Sequence, residues 1–357
     1  SENPRATEHI GEIIRLVETL VDKSHAYAPP EGDVYFSVRS FPGYGKLSCQ
    51  NIDDLENGAR VDPDEAKRDP LDFALWKAEK PGEPAWDSPW GKGRPGWHIE
   101  CSAMSMTLLG ETFDIHAGGQ DLVFPHHENE IAQSEAATGK PFARYWMHNG
   151  YINIDNEKMS KSAGNFFTVR DIAKEYDLEA VRVFMLGVHY RNPVNFSREM
   201  MQQSENALER LRTAKTRLLE AQITPAGTEA DEAFAASLAV FRARFCEAMD
   251  DDLNTADALG VLFEFARASN TFVSEPRGRA AVEAAEKLLG ELAGVLGLLR
   301  TPCGEEACPP EALALLEQRG KARKERDFAR ADELRDALGK MGYVVEDTPN
   351  GPKLKKR

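Results

Sequence analysis

The sequence contains no long hydrophobic run, although 41% of its 357 residues are apolar. This excludes a conventional membrane-spanning helix, which needs about 20 consecutive apolar residues, while the apolar content supports several hydrophobic cores. Cysteine is also scarce: the five cysteines are odd in number and scattered. This usage favours a reducing compartment over a disulfide framework, so we expect a cytoplasmic protein with no membrane partner.

An excess of positive charge is also absent, because 59 Asp and Glu outnumber 44 Lys and Arg and give a net charge of −15. This balance does not exclude an anionic partner, since affinity for nucleic acid depends on local patches. The end of the chain is locally basic, at Lys321, Arg323, Lys324 and Arg326 and again at Lys353, Lys355, Lys356 and Arg357. These residues could form a basic patch that binds nucleic acid. The alternative is that they belong to a solvated helix and a frayed tail.

The most informative pattern is the run Lys-Met-Ser-Lys-Ser at residues 158–162, which follows an extended stretch at residues 151–154. Two ammonium groups in a short loop can close on a polyphosphate and neutralise the charge that develops as pyrophosphate leaves. An ordinary lysine and serine surface turn is the alternative. The run resembles the second signature of class I aminoacyl-tRNA synthetases. This resemblance implies that Lys158 and Lys161 are catalytic and that the nucleotide is bound by Lys158, Met159, Ser160, Lys161 and Ser162.

A second pattern suits a metal ion. Pro125 is expected to open a helix in which His126 and Glu130, four residues apart, share one face. Cys101 can supply a softer third ligand from another segment. From the spacing alone, zinc and a solvated acidic helix face are about equally good interpretations. His127 is expected to face elsewhere, in packing or hydrogen bonding.

Between these two patterns, the segment from Phe113 reads as a strand that ends in a glycine-rich turn. Gly118 and Gly119 would let the backbone approach a nucleotide, and Asp121 could bind the ribose hydroxyls. An ordinary strand-to-helix turn is the alternative for this segment on its own. The lysine–serine run, the possible metal ligands and the glycine-rich turn occur close together along the chain. As evidence for a functional site, the three together are more specific than any one of them alone.

The block from Arg94 to Ile172 resembles cysteinyl-tRNA synthetase almost residue for residue. The resemblance continues in the preceding region as an inserted connective segment. It also continues at Met249–Thr255 in the anticodon-side bundle and at Arg323–Asp347 in a small C-terminal domain. It therefore implies an α/β fold: the second half of a Rossmann-type class I catalytic domain with a connective insertion, then an α-helical bundle and a small mixed α/β domain. The expected boundaries are 1–90 (connective insertion), 91–165 (second catalytic half with the lysine–serine loop), 166–200 (stem-contact connector), 201–300 (helical bundle) and 308–357 (C-terminal domain).

The same resemblance implies a function. The chain would activate L-cysteine with ATP and Mg²⁺ to cysteinyl-adenylate and transfer it to tRNA(Cys). One Zn²⁺ per chain, held by Cys101, His126 and Glu130, would select the cysteine thiolate. Trp97 and His116 would form walls of the amino-acid site.

The family's first catalytic half, with a zinc cysteine and a His-Ile-Gly-His motif, has no counterpart in the sequence. His9-Ile10-Gly11 continues into Glu12 and fits the apolar stripe of an amphipathic helix. We therefore expect a truncated chain, inactive alone, whose partners include a missing N-terminal half of about 100 residues. Two other functions are considered: a ligase that joins activated cysteine to a small amine, as in mycothiol synthesis, and a non-catalytic tRNA-binding fragment. The first should lack the anticodon-side tail.

Overall fold

The computed structural model describes residues 1–51, 67–154, 157–158, 168–225, 227–300, 310–325, 327–348 and 351–356. The chain divides into two compact units. The first comprises Ser1–Phe166 with Tyr190–Phe196, and the second comprises Phe167–His189 with Ser197–Arg357.

The first unit begins with a helix packed on an antiparallel sheet. Helix α1 (Ile10–Asp22) includes the Ile10-Gly11 pair and buries Ile13 and Val17, as its amphipathic pattern predicts. The four strands lie in the order of the chain, and each neighbouring pair is antiparallel: β1 (Ala26–Tyr27), β2 (Val34–Phe36), β3 (Phe73–Ala78) and β4 (Gly93–Pro95). In the sequence, the run Val-Tyr-Phe-Ser-Val at residues 34–38 predicts one strand, which corresponds to β2; the other three strands were not predicted.

A parallel βαβ unit follows and positions the candidate site. After helix α2 (Trp97–Leu109), strand β5 (Phe113–Gly119) pairs in parallel with β6 (Ala143–Asn149), and α3 (Glu128–Thr138) connects them. The expectation that a helix opens at Pro125 is confirmed, with a π-type first turn that runs directly into α3. Phe124 has extended backbone angles, as residues before proline favour, and a π-type turn at Val123–His127 precedes α3.

The first unit ends in a three-stranded sheet. Strand β7 (Ile152–Ile154) pairs antiparallel with β8 (Glu157–Lys158) and parallel with β9 (Val194–Phe196). The backbone of Lys158 therefore lies at the end of β8. Met159, Ser160, Lys161 and Ser162 fall outside the described residues.

The second unit is mainly helical. The sequence predicts a helix at residues 178–186 within the connector, and the helix there has those bounds: Asp177 caps its first turn and Gly187 follows its last residue. The helices are α4 (Val169–Glu175), α5 (Leu178–Leu186), α6 (Arg198–Leu219), α7 (Glu229–Asp250), α8 (Thr255–Phe272) and α9 (Arg279–Val295). Two-residue strands β10 (Ile223–Thr224) and β11 (Arg277–Gly278) pair in parallel.

The chain continues into a helical pair and a hairpin. Helices α10 (Pro310–Lys324) and α11 (Phe328–Lys340) precede the antiparallel strands β12 (Tyr343–Thr348) and β13 (Gly351–Lys356). A frayed tail is therefore the wrong description of residues 351–356. Within the ranges given above, no helix is both long and apolar enough to cross a membrane.

Candidate functional site

Helices α2 and α3 bring the three residues of the sequence-based metal site together. Cys101 lies in the second turn of α2, His126 in the π-type turn and Glu130 in the first turn of α3. One possible ligand atom from each residue lies within 4.8 Å of those of the other two. His126 Nε2 is 2.6 Å from Glu130 Oε1, which is the contact that the four-residue spacing predicts.

Glu130 is the centre of this group and is completely buried. Its second oxygen, Oε2, lies 2.8 Å from His116 Nε2. Burial alone would raise the pKa of Glu130, but the adjacent imidazoles of His116 and His126 lower it to about 2. Both oxygens thus lie at hydrogen-bonding distance from imidazole nitrogens, although neither contact has the alignment of a good hydrogen bond. A buried anion close to other ligand atoms and without aligned donors is what a cation would satisfy.

The donor set of the cluster fits zinc. A thiolate sulfur, an imidazole nitrogen and a carboxylate oxygen are all ligands that Zn²⁺ accepts, and three of them leave one tetrahedral position open. Burial, together with the charges of Glu130 and Glu100, raises the pKa of the Cys101 thiol to about 12. Ionisation of that thiol at neutral pH therefore requires a nearby positive charge, which a bound metal ion supplies.

His127 belongs to the same cluster, which corrects the expectation that it faces elsewhere. Ligand atoms of His116, His127 and Glu130 also lie within 4.8 Å of one another. The Nδ1 atom of His127 is 2.8 Å from His148 Nε2, so the expected hydrogen-bonding contact is present as well. Burial is the main cause that lowers the pKa of His127 to about 4, and the ring is neutral near pH 7.

A second imidazole orients His126 from the side opposite Glu130. His98 Nδ1 lies 2.8 Å from His126 Nδ1, which leaves His126 Nε2 directed at the carboxylate. Burial, and then the neighbouring His126, lower the pKa of His98 to about 4. An N–H of one ring can be donated to the facing nitrogen of the other, and a partner of this kind on the second nitrogen orients a metal-ligating histidine.

Aromatic rings close the cluster on two sides. Trp97 stacks on His126 with centroids 4.4 Å apart, and 58% of Trp97 remains exposed. Trp146 contacts the rings of His116 and His127 at 4.9 and 5.2 Å. Trp97 thus packs on the imidazole that contacts Glu130 Oε1, and His116 itself contacts Oε2. These are the two residues expected to form walls of the amino-acid site.

The glycine-rich turn packs against this cluster at the end of β5. A Cβ atom on Gly118 would lie 2.8 Å from His127 Cε1, and one on Gly119 would lie 2.4 Å from Asp121 Oδ1. Close packing therefore requires glycine at position 118, whereas the exposed Asp121 carboxylate could rotate away from a side chain at position 119. Asp121 is exposed just beyond the carboxyl end of a parallel strand, where α/β sheets commonly bind ligands.

Sequence reasoning did not assign His98, His148 or Trp146 to the site. Each lies within a block that resembled the family, but its position depends on three-dimensional pairing. Strand register, for example, places His148 directly beside Gly118. That register cannot be read from local spacing.

Comparison with known proteins first defines the class. Residues 1–206 match the family model for the tRNA synthetases class I (C) catalytic domain. Residues 244–300 match the DALR domain, and residues 305–352 match the cysteinyl-tRNA ligase anticodon binding domain. The structure of Mycobacterium tuberculosis methionyl-tRNA synthetase in complex with methionyl-adenylate is similar, with a TM-score of 0.55 and 16% identity. The match covers 83% of this chain and 72% of that one. The fold is thus the α/β fold of class I synthetases with a helical anticodon-binding region.

Closer relatives then define the family. The cysteine--tRNA ligase of Caldicellulosiruptor saccharolyticus is 56% identical over 100% of this chain and 77% of its own length. That of Symbiobacterium thermophilum is 55% identical over 98% of this chain and 75% of its own length. The chain belongs to the cysteine--tRNA ligase family, which confirms the resemblance seen in the sequence. It spans about three quarters of the length of these two relatives.

Proposed function

We propose that this member of the cysteine--tRNA ligase family selects L-cysteine through one zinc ion held by Cys101, His126 and Glu130. It then activates cysteine with ATP and Mg²⁺ and transfers it to tRNA(Cys). The observation that carries the metal assignment is the buried Glu130 carboxylate, which lies 2.6 Å from His126 Nε2 and within 4.8 Å of a possible ligand atom of Cys101. When bound, zinc would lower the pKa of the substrate thiol and bind its thiolate.

The surrounding residues have separate roles in this proposal. His98 contacts Nδ1 of His126, on the ring edge away from Glu130, so that His126 Nε2 stays directed at the metal position. Trp97 is more than half exposed and offers its indole face to an amino acid that approaches the cluster. His116 forms the other wall through its contact with Glu130 Oε2.

The nucleotide is assigned to the end of β5. Backbone at Gly118 and Gly119 can approach the nucleotide closely, and Asp121 supplies an exposed carboxylate for ribose hydroxyls. Lys158 and Lys161, with Met159, Ser160 and Ser162, are assigned to the phosphates. That assignment is supported by the sequence motif and by the position of Lys158 at the end of β8. The two ammonium groups would stabilise the charge that forms as pyrophosphate departs.

An exposed apolar face on the β5–β6 sheet supports a further part of the proposal. Ile115 and Tyr145 are paired across the two strands and are 58% and 67% exposed. Parallel sheets are normally covered on both faces. We propose that further polypeptide covers this face, in the role that the sequence analysis gives to an N-terminal catalytic half.

The two other functions are less well supported. A ligase that uses a small amine would not need the region at residues 305–352, which matches an anticodon-binding domain. A fragment that only binds tRNA would not need the cluster around Glu130. A cytoplasmic location also stays a proposal; it is compatible with the free thiols of Cys49, Cys101 and Cys246.

Metal analysis tests the site directly. The purified chain, dialysed against excess zinc and then against metal-free buffer, should retain zinc at up to one ion per chain. Changing His126 to Ala should abolish retention, because it removes one of three ligands. His9→Gln is the matched control, since His9 lies in the same unit at the start of α1 and outside the cluster. The absence of zinc from the wild-type chain, or equal retention by the His126→Ala variant, would contradict the assignment.

A further inference from the structure

Glu128 occupies an unusual position on the helix that carries the candidate metal ligands. It is the first residue of α3 and lies two residues after His126 and two before Glu130. Two residues correspond to about 200° of helical rotation, so its side chain leaves the opposite side of the helix. The side chain is completely buried although it is a carboxylate.

The carboxylate of Glu128 is fully occupied by backbone amides from one short segment. Its Oε1 accepts a hydrogen bond from Gly45 N at 2.9 Å. Its Oε2 accepts hydrogen bonds from Leu47 N at 3.1 Å and Ser48 N at 2.8 Å. Three backbone donors thus converge on the two carboxylate oxygens, and all three come from residues 45–48.

The next residue makes a second anchor to the same segment. Tyr44 Oη donates to Asn129 Oδ1 at 2.6 Å, and both side chains are buried. The segment also has a defined shape of its own. Gly45 has φ +90°, and a Cβ atom there would lie 2.2 Å from the Gln50 carbonyl oxygen. Tyr44 and Ala132 of α3 belong to one hydrophobic cluster with α1 and the four-stranded sheet.

These contacts hold the first turn of α3 on the side away from the metal cluster. Rotation of that turn about the helix axis would move His126 and Glu130. It would also break the three hydrogen bonds that backbone N–H groups donate to Glu128. We infer that Glu128 is a positioning residue: by clamping residues 44–48 to the first turn of α3, it sets the orientation of the His126–Glu130 ligand pair. This inference rests on the proposed metal site and adds to it a residue that touches neither metal nor substrate.

Cobalt substitution provides a readout other than activity. Co²⁺ bound through Cys101 gives thiolate-to-cobalt absorption, and its visible bands report the coordination geometry. Glu128→Gln keeps the side-chain shape but directs an amide donor at backbone donors. We expect it to weaken Co²⁺ binding about tenfold or more and to alter the visible bands, as the loss of outer-shell support commonly does.

Two further variants separate positioning from general stability. Glu135→Gln is the matched control, because Glu135 lies on the same helix and pairs with the side chain of Lys46 from the same segment. The hydrogen bond that its Oε1 accepts from Phe142 N can be kept by the amide oxygen of Gln. It should bind Co²⁺ within about twofold of wild type, since an exposed pair of this kind contributes little. Tyr44→Phe removes only the bond to Asn129, and we expect a loss of about threefold. Far-ultraviolet circular dichroism checks that each variant is folded.

The outcomes separate this inference from the metal assignment. If wild type gives no thiolate-to-cobalt band, the proposed metal site fails and this inference fails with it. If wild type binds Co²⁺ and Glu128→Gln binds it within about twofold with the same bands, only the positioning role is overturned. If Glu128→Gln does not fold, Tyr44→Phe decides, and an unchanged affinity in that variant overturns the inference.

Discussion

His116 and Glu130 share a close contact, with Nε2 of the imidazole 2.8 Å from Oε2 of the carboxylate. His126 meets the other oxygen of the same carboxylate at 2.6 Å. The expected wall of the amino-acid site and the expected metal ligands are therefore parts of one cluster. A change in metal coordination at Glu130 would therefore alter the contact between Glu130 Oε2 and His116 Nε2.

Lys161→Ala tests the role of the lysine–serine loop. The second ammonium group is expected to stabilise charge that develops only as pyrophosphate departs, so its loss should lower kcat and leave the KM for ATP nearly unchanged. We expect a decrease in kcat of about 10²–10³-fold, as for other groups that stabilise transition-state charge. The measurement is cysteine-dependent ATP–pyrophosphate exchange, made on the variant in a form of the protein whose wild type catalyses this exchange.

The control for this variant is Lys140→Ala, because Lys140 forms an exposed ion pair with Glu111 in the first unit. It should change neither constant by more than about twofold. A large rise in KM with kcat intact in the Lys161→Ala enzyme would show that the lysine binds ground-state ATP instead.

Gly118→Ala tests the packing between the glycine-rich turn and the imidazole cluster. The new methyl group would meet His127 Cε1 at 2.8 Å and Leu122 Cδ1 at 2.9 Å, distances that force a shift. Overpacking of this kind costs about 1–3 kcal/mol of unfolding free energy. Tryptophan fluorescence during urea unfolding measures it in the first unit, which contains all five tryptophans.

The same substitution at an open position should have the opposite sign. Gly290 lies inside α9 with no atom near its potential Cβ, so Gly290→Ala should stabilise the second unit by about 0.5–1 kcal/mol. Unfolding followed by circular dichroism detects this change. Equal stability of the Gly118→Ala variant and wild type would mean that His127 can move aside without cost.

Asp72→Ala tests the polar contact that joins the loop before β3 to the rest of the four-stranded sheet. Asp72 is buried and accepts hydrogen bonds from Tyr27 Oη at 2.7 Å, Val38 N at 3.0 Å and Asp69 N at 3.2 Å. Removal leaves buried donors without an acceptor, so we expect a loss of about 3 kcal/mol in the unfolding free energy of the first unit. Urea unfolding with tryptophan fluorescence gives the value.

Asp87→Ala removes a carboxylate from an exposed loop of the same unit and serves as its comparison. It should change stability by no more than about 0.5 kcal/mol. A similarly small effect for Asp72→Ala would mean that water replaces the lost acceptor.

The sequence predicted the parts of this molecule whose chemistry depends on local spacing. His126 and Glu130 could be paired because four residues make one helical turn, and the bounds of α5 follow from its capping residues. The four-stranded sheet was largely missed, because strands of two or three residues are too short to show a two-residue period. Its longest strand, β3, does not alternate in burial.

The rest of the imidazole cluster could not be predicted for a different reason. His98 and His148 reach His126 and His127 from α2 and β6, so their roles depend on helix packing and strand register. Three of the cluster's rings are neutral or poorly basic because they are buried, which spacing does not reveal. The lysine–serine loop is the converse case, since its motif is explicit in the sequence while residues 159–162 lie outside the described structure.

The selection of cysteine over serine is the last property that the cluster should determine. The two amino acids differ only in sulfur and oxygen, and a pocket that reads small differences in size separates substrates by about 1–3 kcal/mol. A metal held by Cys101, His126 and Glu130 can do better, because a thiolate is a far stronger zinc ligand than a neutral hydroxyl. We therefore expect wild type to activate cysteine much faster than serine, and His126→Ala to lose most of this ratio through slower cysteine activation. The measurement is kcat/KM for each amino acid in pyrophosphate exchange, with His9→Gln again as the histidine control. If the ratio survives in a His126→Ala enzyme that has been shown to contain no zinc, the shape of the site defined by Trp97 and His116 must account for selection, and the metal is structural.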